Sequence, residues 1–113
     1  MVHLKGATGS NAYKIDGLYK PTEELVGNTS VYRKVGDADL KISYNIAQGK
    51  WWILGRDKLI AFAFTNAHSP IPLEECPKDC WEVYDGDSDK WVKQTSLTAF
   101  QEYELSKVLN IAL

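Results

Sequence analysis

Two cysteines, two histidines and one methionine are all that 113 residues hold of the softer, metal-seeking and redox-active side chains. A structural zinc site takes four ligands, and no second cysteine pair or histidine cluster completes one around Cys76 and Cys80. Their spacing, Cys-Pro-Lys-Asp-Cys, is wider than that of a dithiol redox motif. They read as loop thiols, with a local disulfide as the alternative; so short a loop would stabilise little. Long apolar runs are also missing. The longest, Leu59 to Phe64, is far below the roughly twenty residues that span a bilayer. Met1 to Gly6 carries no apolar stretch of the kind a secretory leader needs. The expectation is a cytoplasmic chain without a membrane segment, in which Asn28-Thr29-Ser30 matches the glycosylation sequon by chance. Nor does one sign of charge prevail. Thirteen basic residues stand against fifteen acidic ones, a net charge of −2, which argues against a generic nucleic-acid or anionic-membrane binder.

Catalytic patterns are equally scarce. His68 with Ser69 could form half of a hydrolytic pair, but no nucleophile-elbow pattern accompanies them, and His3 lies far away in sequence. Gly6-Ala7-Thr8-Gly9-Ser10 is glycine-rich, yet no Gly-Lys-Ser/Thr follows, so it reads as a flexible turn and not a phosphate cradle. Asp85, Asp87 and Asp89 imitate the opening of a calcium loop. The sixth and twelfth positions, however, are Lys90 and Ser96 where an EF-hand has glycine and glutamate. A polar hairpin turn is the plainer account, with weak calcium binding as the alternative. The expectation is a chain with no catalytic residue, no resident metal and no cofactor.

What the sequence does have is rings: four tryptophans, six tyrosines and three phenylalanines. They sit in short segments with strand periodicity. Leu40, Ile42, Tyr44 and Ile46 alternate with Lys41, Ser43 and Asn45, the period of a half-buried strand. Val31, Arg33 and Val35 alternate with Ser30, Tyr32 and Lys34. Ala12–Ile15 and Leu18–Lys20 flank Asp16-Gly17, a two-residue hairpin signal, and Pro21 is expected to stop the second of these strands. Lys50–Leu54 follows the turn Ala47-Gln48-Gly49. Leu59–Thr65 is apolar at successive positions and reads as a central strand covered on both faces. After a loop with Pro70, Pro72 and Pro77, the segments Trp81–Tyr84 and Lys90–Lys93 form a hairpin around the aspartate turn.

The ending changes character. Thr98 and Gln101 fit a capping box, and Leu105, Val108, Leu109 and Ala112 recur at helical spacing. This predicts a helix from about Ala99 to Ala112, whose stripe offers an association surface. The whole is one domain over residues 1–113, with a β core over about residues 2–97. The predicted fold is all-β, an antiparallel sandwich or small barrel of about seven or eight short strands with a C-terminal α-helix.

Adjacent residues on a strand point to opposite faces, so one of Trp51 and Trp52 belongs to the core and the other to the second face. A flat ring there could stack on a sugar or a partner side chain. Tyr84 and Asp85, beside the acidic turn, complete the candidate ligand-binding set.

The order of these segments is familiar. Ile15-Asp16-Gly17-Leu18-Tyr19, Val31-Tyr32-Arg33-Lys34, Ile42-Ser43-Tyr44, Lys50-Trp51-Trp52-Ile53, Ala61-Phe62-Ala63 and Trp81-Glu82-Val83-Tyr84-Asp85-Gly86 follow one another. Together they resemble a small Trp/Tyr-rich β module that recurs in multi-module eukaryotic proteins. The resemblance covers about residues 3–97 and implies a non-catalytic module, since the shared positions are turn glycines and core aromatics. Where that pattern has a further aromatic, this chain has Lys41. The functional expectation is a non-catalytic β module that binds a protein partner or a second copy of itself. A carbohydrate-binding module is the alternative.

Overall fold

A computed structural model describes residues 1–65 and 71–101. Nine strands form one antiparallel sheet that curls into a half-barrel: β1 (Val2–Lys5), β2 (Gly17–Val26), β3 (Thr29–Lys34), β4 (Asp37–Asn45), β5 (Lys50–Leu54), β6 (Leu59–Phe64), β7 (Trp81–Asp85), β8 (Lys90–Lys93) and β9 (Thr98–Gln101). Their order across the sheet is β8-β7-β6-β5-β4-β3-β2-β1-β9, a meander closed on one side by the return of β9 to β1. One helical turn, α1 (Ala12–Ile15), and two 3₁₀ turns (Leu73–Glu75 and Lys78–Cys80) complete the described elements.

The all-β antiparallel expectation holds, as a single curled sheet and not as two packed layers. Several local expectations do not. Ala12–Ile15 is helical, not a strand, and Asp16-Gly17 is not a hairpin turn. The Asp16 carboxylate accepts the backbone N–H groups of Gly6 (3.3 Å) and Ala7 (3.0 Å). That grip folds the 6–11 loop back, so the following residues wind up into a turn instead of pairing. Nor does Pro21 stop β2. The register shifts between Pro21 and Leu25, and the strand runs on to Val26. A bulge is where a residue without an N–H is tolerated, and the Thr22 hydroxyl beside it donates to the Val31 carbonyl at 2.7 Å.

The expected capping box at Thr98 and Gln101 is in fact strand β9, paired with β1 from Val2↔Gln101 to Lys5↔Thr98. A local helix signal over four residues loses to a full ladder along the exposed edge of β1. With β1 and β9 added and Ala12–Ile15 removed, the strand count among the described residues becomes nine. The remainder of the predicted helix, and with it Leu105, Val108, Leu109 and Ala112, lies outside the described residues, as do His68 and Ser69.

The core fills the concave side. Val2, Leu4, Tyr19, Leu40, Ile42, Tyr44, Trp51, Ile53, Trp81 and Val83 point inward, and Ile15 from α1, Leu73 from the first 3₁₀ turn and Leu97 from the segment before β9 plug the trough. Size alternates across the sheet: Ala63 pairs with Trp51 on one side and Trp81 on the other, which leaves room for both indoles. The Trp51 ring packs edge-on against Tyr44, with centroids 5.2 Å apart, and its indole N–H donates to the Ile71 carbonyl at 2.9 Å. That bond ties the segment that resumes at Ile71 to the core. Ile46, expected on the core face, lies just past the end of β4 and is exposed.

Candidate functional site

The convex face carries what the core does not use. Trp52 points outward from β5, as the alternation requires. The register continues that row from Ser43 through Trp52, Phe62 and Glu82 to Lys93. Leu59–Phe64 is therefore not covered on both sides: Phe62 is half-buried and Phe64 is 46% exposed. On the last hairpin Tyr84 pairs with Trp91, their rings edge-to-face at 5.6 Å. Trp91, on the edge strand β8, reaches across β7 to meet Phe62 at 5.2 Å. Trp52, Phe62, Trp91 and Tyr84 thus form an aromatic stripe that crosses four strands. The Phe62–Trp91 and Tyr84–Trp91 contacts each contribute about 0.5–1.5 kcal/mol beyond area burial, and Trp52 joins the row through its register opposite Phe62.

The stripe is edged by cations. The Lys50 ammonium lies 4.4 Å from the Phe62 ring centroid and 5.8 Å from that of Phe64, within cation–π range. Lys93 stands opposite Glu82, and Lys41 opposite Leu54. At its β5 end the stripe opens into a cleft of about 350 Å³ lined by Val26, Gly27, Ser43, Asn45, Ile46 and Trp52, among others. The Trp52 indole N–H is withdrawn from solvent and meets no acceptor. A buried donor without a partner is uncommon and costs about 1–3 kcal/mol.

The other candidates fall elsewhere. Trp51 is 2% exposed and belongs to the core, so of the two tryptophans only Trp52 lies on this face. Asp85, Asp87 and Asp89 are at the β7–β8 turn, where the Ser88 hydroxyl donates to Asp85 at 2.7 Å and the Tyr84 hydroxyl donates to Asp89. Ser88 and Ser10 hold the Asp85 carboxyl below its usual range, and the bond to Asp89 raises the Tyr84 hydroxyl above its own. Two of the three carboxylates thus have oxygens engaged within the turn. Among the described residues no group of three or more His, Cys, Asp or Glu is placed to hold a metal ion. Cys76 and Cys80 are free thiols, one before the second 3₁₀ turn and one at its end, and the Cys76 thiol donates to the Pro72 carbonyl at 4.0 Å. His3 packs against Phe100 at 4.9 Å.

Phe62 and Trp91 are the stripe residues that sequence reasoning misses. The only local signals were alternate phenylalanines in an apolar run and a tryptophan following Lys90. What joins them is cross-strand register, which no single segment encodes. Among the described residues no helix is long and apolar enough to cross a membrane. Comparison of the chain with known protein families, with curated proteins and with solved structures finds no match.

Proposed function

We propose that this chain is a non-catalytic β module that binds a protein partner through the convex aromatic stripe. The observation that carries this reading is the cluster of Trp52, Phe62, Tyr84 and Trp91 on the face opposite the core. The fold has a filled trough without them, so their burial against one another is not what closes the sheet. Tryptophan and tyrosine are the residues that most often dominate binding energy, because they offer large rigid area at low entropic cost. The resemblance to a recurring Trp/Tyr-rich module points the same way. A second copy of the chain is one partner this surface could take. In the sequence, Leu105, Val108, Leu109 and Ala112 recur at the spacing that a second, self-associating surface would need.

The test compares the wild-type chain with a Trp52→Ala/Trp91→Ala double variant as immobilised bait, read by quantitative mass spectrometry, beside sedimentation velocity of both. The expected result is a partner, or a dimer, held by the wild type and lost from the variant. Identical captured proteins and two monomers would end the proposal.

Carbohydrate binding is the second reading, favoured by the placing of Trp52 beside the Ser43 and Asn45 side chains in one cleft. It predicts a glycan-array signal that the same double variant abolishes.

A further inference from the structure

We infer that Cys76 and Cys80 form a modification site: a dithiol that exchanges with small disulfides and closes a reversible Cys76–Cys80 bond. The inference does not rest on the aromatic stripe. These are the only two cysteines of the chain, and both are free. Neither fills the core. Leu73 and Trp81 do that on either side, both buried, while the two cysteines are half-buried at its margin.

The backbone fixes both. The Cys76 N–H donates to the Leu73 carbonyl at 3.2 Å, closing the first 3₁₀ turn, and the Cys80 N–H donates to the Pro77 carbonyl at 3.3 Å, closing the second. Pro77 fixes φ at the joint between the turns. The ends of the segment are anchored too, Ile71 by the Trp51 indole and Trp81 by its pairing with Ala63. The thiols are therefore held as neighbours, and each perturbs the other's ionisation. One of them is open to a reagent. Cys80 lines a surface cleft of about 470 Å³ with Phe64, Pro77, Asp79, Glu82 and Lys93, which gives a small disulfide access to the sulfur.

The two sulfurs take different parts. Interaction with Cys76 lowers the Cys80 thiol, so Cys80 supplies the thiolate, while Cys80, burial and the Glu74 and Glu75 carboxylates raise Cys76. The Cys80 thiolate attacks one sulfur of the disulfide, forms a mixed disulfide and expels a thiolate. Capped in this way, Cys80 bears no charge and no longer repels a thiolate at Cys76. Cys76 then loses its proton to solvent, attacks the Cys80 sulfur and expels the second thiolate. Two protein thiols thus give up two electrons and two protons, and one small disulfide becomes two thiols. Glu74, Glu75 and Asp79 disfavour an anionic reagent, so the fitting oxidant is a neutral or cationic disulfide. A bond in so short a ring stabilises little and stays easily reduced, which makes the change reversible.

The test incubates the full chain at about pH 7.5 with graded ratios of hydroxyethyl disulfide to 2-mercaptoethanol, followed by acid quenching and intact mass spectrometry. The wild type is expected to lose two hydrogens as the ratio turns oxidising, with no disulfide-linked dimer on a non-reducing gel. It is expected to regain both in excess 2-mercaptoethanol. Cys76→Ser is expected to stop at one hydroxyethylthio adduct, mapped to Cys80. Cys80→Ser is expected to react about tenfold more slowly, because burial and two carboxylates still raise the remaining thiol. A wild type that collects two adducts, links to a second chain or stays reduced overturns the inference. So does a Cys76→Ser chain that gains no adduct at Cys80. The wild-type masses decide the matter even if a serine variant fails to fold.

Discussion

The side-chain carbonyl of Gln94 accepts two hydrogen bonds from Thr8, one from its backbone N–H at 2.8 Å and one from its hydroxyl at 3.0 Å, across 86 residues of sequence. Gln94 is buried, its own backbone N–H donates to the Trp81 carbonyl, and its amide donates to the Val92 carbonyl. One side chain thus ties the 6–11 loop to the far edge of the sheet. Gln94→Leu keeps the volume but leaves a part-buried N–H without an acceptor. The expected loss is about 1–3 kcal/mol, read as a lower urea midpoint with an unchanged slope.

Two glycines separate backbone strain from steric collision. Gly6 has φ +95°, and a Cβ there would lie 2.1 Å from the Ser96 carbonyl oxygen. Gly36 has φ +88° with nothing within 4 Å. Gly36→Ala therefore bears only the left-handed penalty, about 1–2 kcal/mol. Gly6→Ala must also push apart the loop and the segment before β9, and is expected to lose several kcal/mol. Equal melting temperatures for the two variants would contradict the close approach.

Alkaline pH has a specific weak point. The Tyr19 hydroxyl is fully buried and donates to the Ile15 carbonyl at 2.8 Å. Burial first, then Asp16 and Asp37, holds its ionisation well above the usual tyrosine range. The unfolded chain ionises this group near pH 10 while the folded one keeps the proton. The stabilisation is thus complete below pH 10 and declines as pH rises above it. Tyr19→Phe loses the hydrogen bond, about 1 kcal/mol at pH 7, but also loses this term. The gap in urea midpoint between the two proteins is expected to narrow from pH 8 to pH 11.

The thiols are expected to react unequally. The mutual interaction of the two thiols lowers the Cys80 thiol below its ordinary value and raises Cys76. Thiolate is the nucleophile, so iodoacetamide at pH 7.5 should modify Cys80 first, as mapped by mass spectrometry. Cys76→Ala removes the interacting thiol and should slow that reaction. Faster labelling of Cys76 would contradict this order.

Wherever one strand's pattern suffices, sequence and structure agree. Leu40, Ile42 and Tyr44 face inward as their alternation says, and Trp51 and Trp52 divide between core and convex face. The failures share one cause. Ala12–Ile15 has strand-like residues, but a carboxylate four residues beyond the start of the segment, Asp16, binds the loop before it. Thr98–Gln101 has a helix-start pattern, but the vacant edge of a strand nearly a hundred residues earlier captures it. Phe62 and Trp91 meet only because β7 lies between them at a fixed register. Each depends on a contact outside the segment itself, and periodicity carries no such information.

The pairing of β1 with β9 sets Val2 directly beside Gln101. A segment that enters and leaves at neighbouring points, about 5 Å apart, can be spliced into a surface loop of a host protein without prying the loop open. It can equally be strung in series on short connectors. In either arrangement the strands of the stripe, β5 to β8, lie across the sheet from the β1–β9 pair, so the means of attachment need not obstruct the binding face.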